Sequence, residues 1–163
     1  MDFFQVLDKI KNDLVQNTVK NILWQGHTMT GRLEKSIEVQ VVQKVDIFIN
    51  LLAESYGIPL NTGVKPSRIP YTQGSGRKTS EYIKGLQRFA KIRMRASDKE
   101  ALSIAFAIAK KHKKEGMPSR GSFRYSKNGK RTRFFDDAVN ETLADVDAYL
   151  NEFLVSVQKE FES

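Results

Sequence analysis

The sequence predicts an α+β fold, with long helices at the N- and C-terminal ends of the chain, a small antiparallel β-sheet after the first helix and further helices in the middle. Apolar side chains recur every three or four positions at both ends of the chain, which is typical of amphipathic helices. Residues 37–41 and 45–50 combine alternation with β-branched side chains, which indicates two strands. The length of 163 residues fits one domain, and glycine- and proline-rich segments with helical patterns between them predict a loop, helices and a hairpin over about residues 64–133.

The first helix is predicted to begin at Phe3 and to stop near Gly26. Asp2 is placed to cap its N-terminus, and Gln5, three residues further on, can complete a capping box. One face of this helix is apolar along its whole length. The side chains of this face are Phe3, Val6, Leu7, Ile10, Leu14, Val15, Val19 and Ile22.

An antiparallel hairpin is predicted to follow this helix. A short capped turn of helix at residues 30–36 leads into the alternating segment 37–41, which is typical of a half-buried strand. Residues 45–50 alternate less strictly, but their β-branched content favours a second strand. The connection around Gln43 and Lys44 is tight, so the two strands are expected to pair antiparallel.

The middle of the chain is predicted to contain a loop and two helices. Residues 51–60 favour a short helix that Pro59 limits, and the glycine and proline content of residues 63–78 predicts a loop. Apolar positions at helical spacing predict the next helix from Thr79 to Arg93.

The following helix has signals at both of its ends. Ser97 and Glu100 form a capping box ahead of the alanine-rich stretch 101–109. The lysine run at 110–114 suits the negative end of the helix dipole, and Gly116 is a stop signal. A helix that ends near residue 115 is therefore expected.

A second hairpin is predicted around the dipeptide Asn128-Gly129, which is the strongest short hairpin-turn signal. Its two strands are expected at Ser122–Tyr125 and Thr132–Phe134. This hairpin would form the last part of the segment at about residues 64–133.

The last helix is expected from about Asp136 to Phe161, with Asp136 and Asp137 as its N-cap residues. Five acidic residues before position 150 also match the positive end of the helix dipole. The apolar stripe of this helix consists of Val139, Leu143, Val146, Leu150, Phe153, Leu154, Val157 and Phe161.

The sequence predicts no enzymatic site. The chain has no cysteine, which excludes a disulfide framework, a thiolate zinc site and a cysteine nucleophile. The two histidines, His27 and His112, have no acidic residue at metal-ligand spacing. Gly74–Thr79 resembles a phosphate loop in composition but lacks its G-x-x-x-x-G-K-[ST] spacing and a preceding strand. We therefore expect no catalytic residue, no metal site and no cofactor.

Neither export nor a membrane span is predicted. The N-terminal segment has acidic residues from position 2 and no uninterrupted apolar core, unlike a signal peptide. The longest apolar stretch, Ile47–Ala53, is broken by Asn50, whereas a membrane span needs roughly 20 such residues. The lack of cysteine also suits a reducing cytoplasm.

The charge distribution is the strongest functional signal in the sequence. Residues 64–133 hold 20 Lys and Arg against 4 Asp and Glu, whereas the other 93 residues hold 7 basic and 15 acidic residues. Such asymmetry indicates binding to a polyanion or to an acidic face of a partner or sister subunit. Subunit contact, DNA binding and a merely solubilising role all remain open. The candidate partner- or DNA-facing residues are Arg77, Lys78, Arg124, Lys127, Lys130, Arg131 and Arg133.

Four landmarks occur in a fixed order over about residues 3–160. The most specific is Thr30-Gly31-Arg32-Leu33-x-x-Ser36-Ile37, which follows the first helix and opens a strand. In this order the chain resembles the neck or tail-completion family of tailed phages, which are head–tail joining or minor tail components. The other three landmarks are Tyr56-Gly57, the stretch 101–109 with Gly116-Met117-Pro118, and Phe134–Ala138.

This resemblance implies a single domain in which the small antiparallel β-sheet packs against the long N- and C-terminal helices, with a helical insertion at about residues 64–133. It also implies a structural virion protein that is made in the cytoplasm of the bacterial host. It would form a homo-oligomeric ring, commonly of six or twelve copies, between portal or head-closure proteins and the tail. The basic segment would face neighbouring subunits or, without sequence specificity, DNA in the channel, and no membrane contact is implied. Two alternatives are a tail-tube terminator, which differs in the ring that it touches, and a non-specific DNA-binding accessory protein.

Overall fold

The chain forms two compact units in a computed structural model. The terminal unit consists of Met1–Gly57 and Arg133–Ser163, and the middle unit consists of Ile58–Thr132. The middle unit overlaps the segment at about residues 64–133 in which the resemblance implies an insertion. The structure describes residues 2–72, 74, 80–121, 123 and 129–162.

Six α-helices and one two-stranded antiparallel sheet lie within these described residues, which confirms the predicted α+β fold. None of these helices is both long enough and apolar enough to cross a membrane. In chain order the elements are α1 (Phe3–Trp24), α2 (Arg32–Lys35), β1 (Glu38–Gln43), β2 (Ile47–Leu52), α3 (Gly57–Thr62), a 3-10 turn (Pro66–Arg68), α4 (Glu81–Met94), α5 (Asp98–Glu115) and α6 (Phe134–Phe161).

Both predicted capping boxes are present. The backbone N–H of Gln5 donates to the Asp2 carboxylate at 2.8 Å, and the N–H of Asp2 donates to the Gln5 side chain at 2.9 Å. At the start of α5 the N–H of Ser97 donates to the Glu100 carboxylate at 2.9 Å. Hydrogen bonds from the Ser97 hydroxyl and backbone lower the pKa of Glu100. These ends of α1 and α5 are therefore fixed by local sequence.

The sheet pairs β1 with β2 from Glu38 opposite Leu52 to Gln43 opposite Ile47. Each strand begins one or two residues later than predicted, but the antiparallel pairing is confirmed. Val39 of β1 is buried, and β1 packs against α1. The alternation seen in the sequence thus gives one covered and one open face.

The core of the terminal unit lies between α1 and α6. Val6 and Ile22 of α1 and Phe134 and Ala138 of α6 are completely buried. The Asn17 amide of α1 donates to the Thr142 hydroxyl of α6 at 3.1 Å, so a polar contact also joins the two helices. The first and last helices therefore pack against each other, and the sheet packs mainly against α1.

The core of the middle unit lies between α4 and α5. Ala105 and Ala109 of α5 are fully buried beside Ile83 of α4. Small side chains one helical turn apart let two helices approach closely, so the alanine-rich stretch is a packing surface. Partly buried side chains complete this cluster, namely Tyr71, Tyr82, Leu86, Leu102 and Phe106.

Gly116 allows the chain to turn back after α5. It has φ of 85°, a left-handed conformation that favours glycine. A Cβ atom at this position would lie 2.6 Å from the backbone oxygen of Val64. That oxygen accepts the N–H of Met117 at 2.9 Å in an isolated antiparallel bridge. The stop signal in the sequence therefore also marks a close backbone approach.

The hairpin predicted at residues 122–134 is wrong in its second strand. Thr132 lies in irregular backbone, and Phe134 is the first residue of α6. Phe134 is fully buried in the terminal unit, and this burial outweighs a local turn signal. Ser122 and the segment 124–128, which include most of the first strand and part of the turn, lie outside the described residues.

The start of α6 also differs from its prediction. The N-cap residue is Arg133, which has φ of 67° and makes no side-chain capping hydrogen bond. Asp136 and Asp137 lie in the first turn instead. Their charges there favour the positive end of the helix dipole without capping it.

The short helix predicted over residues 51–60 begins later than expected. Strand β2 extends through Leu52, and α3 begins at Gly57. Pro59 lies in the first turn of α3, where a backbone N–H has no acceptor within the helix, so it does not end the helix. Helix α4 begins at Glu81 after the cap Ser80.

Candidate interaction surfaces

The residues of the motif Thr30–Ile37 build a corner of the terminal unit. Gly31 has φ of 75° and begins α2. The Ser36 hydroxyl donates to the Leu33 carbonyl at 2.7 Å and accepts the N–H of Glu54 at 3.0 Å. These bonds connect α2 to the segment that follows β2.

The same motif has an inward side and an outward side. Leu33 is 1% exposed, and a Cβ atom added to Gly57 would lie 2.9 Å from its Cδ1 atom. Thr30 is exposed, and Ile37 is half-buried ahead of β1. The exposed Arg32 guanidinium contacts the Glu54 carboxylate at 2.8 Å, a contact that raises the pKa of Arg32. Leu33 and Ser36 therefore stabilise the corner, and Thr30 and Arg32 are available to a partner.

The two units have opposite net charges. The middle unit contains 19 Lys and Arg and 4 Asp and Glu, a net charge of +15. The terminal unit contains 8 Lys and Arg and 15 Asp and Glu, a net charge of −7. The asymmetry seen along the sequence thus corresponds to a division between two folded bodies.

Helix α6 is the main acidic element of the terminal unit. It contains seven acidic residues and one lysine. Glu152 pairs with Lys9 of α1 at 2.9 Å, and Glu141 pairs with Lys20 of α1 at 2.9 Å. These exposed pairs hold the helices in register but add little stability. The remaining acidic side chains give α6 its negative surface.

Helix α6 also exposes apolar side chains beside the face that contacts α1. These side chains recur at helical spacing and are between 38% and 88% exposed. Their spacing of four and seven residues places them on one side of the helix. The members of the stripe are Val139, Leu143, Leu150, Leu154 and Phe161.

The candidate basic residues are spread over both units. Lys130 is half-buried and donates to the Glu115 carbonyl at 3.4 Å, at the end of α5. Arg131 is also half-buried. Arg133 is exposed and belongs to the terminal unit. The structure thus brings Lys130 to α5 but does not gather these three residues into one site. The others, Arg77, Lys78, Arg124 and Lys127, lie outside the described residues.

A lysine-lined cavity in the middle unit was missed by the sequence prediction. It has a volume of about 380 Å³ and is lined by Tyr71, Thr72, Lys110, Lys113 and Lys114. The sequence interpretation assigned these lysines to the end of α5. Their spacing of three and four residues, which places all three on one helix face, is the signal that could have found the site.

Each histidine lies beside an aromatic ring. The His27 ring lies 5.0 Å from the Phe134 ring. The Tyr82 hydroxyl lies 2.8 Å from Nδ1 of His112, which is 9% exposed. Among the residues that the structure describes, no group of three or more His, Asp or Glu could hold a metal ion.

Burial lowers the pKa of His112, an effect that Glu115 partly opposes and Lys111 reinforces. Burial also raises the pKa of Tyr82 to about 12, so its hydroxyl remains protonated and can donate to the neutral imidazole. Protonation of His112 would remove the acceptor at Nδ1. The neutral form of His112 is therefore the form that the fold stabilises.

We expect acid to destabilise the fold through His112. Its pKa is lower in the folded chain than its ordinary value of 6.5, so the unfolded chain binds the proton more readily. The stabilising contribution is complete above pH 6.5 and declines as the pH falls from there toward the folded-state pKa. Urea midpoints measured by circular dichroism on both sides of this window should show the decline. His112→Gln should flatten it; a decline of unchanged size in this variant would contradict the assignment.

No protein-family model, curated protein or solved structure matches this chain. What the two units can do is therefore judged from their charges and their exposed side chains.

Proposed function

We propose that this chain is a structural protein of a tailed-phage particle. It forms a homo-oligomeric ring at the head–tail junction, as a neck, tail-completion or connector protein. The observation that carries the proposal is the division of the chain into a middle unit of net charge +15 and a terminal unit of net charge −7. The motif Thr30–Ile37 and the landmarks that follow it support the phage assignment by resemblance.

Opposite charges on two folded bodies suit assembly of identical copies in a head-to-tail ring. Such a ring joins two different faces of the same chain, and closure removes free ends. Complementary charge fixes the register and the choice of partner more than it adds affinity. The basic unit of one copy is therefore expected to face the acidic unit of its neighbour, in a ring of six or twelve copies.

The exposed apolar stripe of α6 is the second feature that supports assembly. Subunit interfaces combine an apolar centre with a polar rim. Leu143 and Leu154 are more than half exposed on a helix that also carries seven acidic residues. We expect this stripe to be covered in the ring, or by a portal, head-closure or tail protein that the ring contacts.

The first test is a charge reversal on the basic side. Five substitutions to Glu should prevent ring formation and leave heads unjoined to tails, because acidic surfaces would then face each other. Sizing of the purified protein and electron microscopy of particles measure the two results. Four of the positions, Arg124, Lys127, Lys130 and Arg131, lie in the middle unit, and the fifth, Arg133, is the residue of the terminal unit that directly follows it.

A complementary reversal provides the control. Asp145→Lys with Asp147→Lys on α6 should also prevent ring closure, but the chain with both sets reversed should recover part of it. Circular dichroism should show that all three variants remain folded. A wild-type chain that stays monomeric at high concentration and is absent from particles would overturn the proposal.

A non-specific DNA-binding accessory protein is the second candidate function. The observation that favours it is the cavity with three lysines in a unit of net charge +15. Salt-sensitive DNA binding by a chain that never forms rings would support this candidate instead.

A further inference from the structure

The lysine-lined cavity of the middle unit is bounded by one face of α5 and the segment after the 3-10 turn. Lys110 stands one helical turn before Lys113 and Lys114, and Tyr71 and Thr72 complete the lining. Lys110, Lys114 and Thr72 are exposed, so the cavity is open to solvent. Its volume of about 380 Å³ leaves room for a ligand group between the lysines and the tyrosine.

The three lysines are not neutralised within the described part of the chain. No carboxylate there lies within 4.0 Å of any of their ammonium groups. The four carboxylates of the middle unit have other partners. Glu81 pairs with Lys84, Asp98 with Lys91, Glu100 with Ser97, and Glu115 with the backbone N–H of Arg120.

The helix dipole explains only part of this arrangement. Cations are favoured in the last turn of a helix, and Lys113 and Lys114 lie in the last turn of α5. Lys110 lies before that turn, and at spacings of three and four residues it is repelled by both of the others. A cluster that repels itself and has no carboxylate nearby attracts anions from outside the chain.

Two contacts shape the cavity before any ligand binds. The Lys113 ammonium donates to the Ile69 carbonyl at 3.1 Å, which fixes its position. The Tyr71 ring lies 6.5 Å from the Phe106 ring and packs on the core of the middle unit. The cavity therefore holds one ordered ammonium group beside a packed aromatic ring.

From this geometry we propose that the cavity binds the phosphate backbone of nucleic acid without sequence specificity. A polyanion suits the site better than a free phosphate, because a single ion in an open site is screened by water and salt. A nucleic-acid backbone also releases counterions at every contact and is attracted by the whole unit, which has a net charge of +15. This binding goes beyond ring formation and does not require it.

Fluorescence anisotropy of a labelled random-sequence duplex, titrated with salt, tests the proposal on the full chain. Lys110→Gln with Lys114→Gln should make the negative slope of log K against log salt less steep by about 1.8, at roughly 0.9 for each phosphate contact. The lines of log K against log salt for the variant and the wild type are expected to meet at about 1 M salt. At about 0.1 M, a tenfold lower concentration, the variant should therefore bind roughly 60-fold more weakly. Lys110→Arg with Lys114→Arg should keep the wild-type slope.

Lys84→Gln with Lys91→Gln is the matched control. It removes the same charge from the same unit, but these two ammonium groups already pair with Glu81 and Asp98. We expect its slope to stay close to that of the wild type. Equal losses in the two glutamine variants would overturn the proposal, because net charge alone would then explain binding.

Two competitors separate the remaining outcomes. Inorganic phosphate at constant ionic strength should not displace the duplex, and polyglutamate should displace it less well than unlabelled DNA. Displacement by phosphate alone would identify a small-anion site and overturn the proposal. Displacement by polyglutamate as good as that by DNA would identify an acidic protein surface as the partner and would also overturn it.

Discussion

Phe134→Ala is expected to lower the free energy of unfolding of the terminal unit by about 3–5 kcal/mol. The Phe134 side chain is completely buried, and its ring lies 4.5 Å from the Phe135 ring and 5.0 Å from the His27 ring. Removing it leaves a cavity between the start of α6 and the segment after α1, which close packing cannot refill. Trp24, the only tryptophan of the chain, lies in this unit, so its fluorescence during urea titration measures the change.

Phe161→Ala is the control for this prediction. It is the same chemical change on the same helix, but Phe161 is 88% exposed at the last turn of α6. Exposed substitutions of this kind usually change stability by no more than about 0.5 kcal/mol. Equal effects of the two variants would show that the core does not lie at Phe134.

The helices could be predicted because their determinants are local. The apolar period and the Asp2–Gln5 capping box specify the start of α1 within a few residues of sequence. The Ser97–Glu100 box and Gly116 do the same for α5. Such signals act between neighbours, so a single sequence contains them in full.

The second hairpin failed because its determinants are not local. Asn128-Gly129 favours a turn wherever it occurs, but a strand also needs a partner and a free apolar face. Phe134 packs in the terminal unit instead, where its ring contacts His27, a residue distant in the sequence. Whether Phe134 joins a strand or begins α6 is decided only by the three-dimensional packing of the terminal unit.

The lysine cavity was hidden for a related reason. The run at 110–114 has an adequate local explanation as a helix end, and Tyr71 is distant in sequence. Within the described residues the lysines of this run have no carboxylate partner, because nearby carboxylates pair elsewhere, as Glu81 does with Lys84 and Asp98 with Lys91. These pairs depend on side-chain geometry, which the sequence does not contain. The charge asymmetry of the sequence indicates binding to a polyanion or to a partner, but it does not locate the binding site.

The motif Thr30–Ile37 shows how one segment can combine folding and contact. In the sequence the motif is a family landmark. In the structure some of its side chains stabilise the corner and others face outward. Ser36 bonds the Glu54 backbone, and Arg32 meets the Glu54 side chain at the surface. Substitutions on the two sides should therefore have separable effects on stability and on assembly.

Leu33→Ala is expected to lower the free energy of unfolding of the terminal unit by about 2–5 kcal/mol. Leu33 is 1% exposed, and the space beside it is so tightly filled that a Cβ atom at Gly57 would lie 2.9 Å from its Cδ1 atom. The loss should appear in the urea midpoint of Trp24 fluorescence.

Arg32→Ala separates the two roles of the motif. Its ion pair with Glu54 is exposed, and such pairs contribute little to stability, so the unfolding curve should remain near that of the wild type. If the outward side of the motif contacts a neighbouring subunit, this variant should nevertheless assemble less well, and sizing at increasing concentration would detect it. A large loss of stability in Arg32→Ala, or none in Leu33→Ala, would contradict the division into an inward and an outward side. Because Leu33 acts through packing and Arg32 through a surface charge, salt should change the assembly of the wild-type chain and leave the cost of Leu33→Ala almost unaltered.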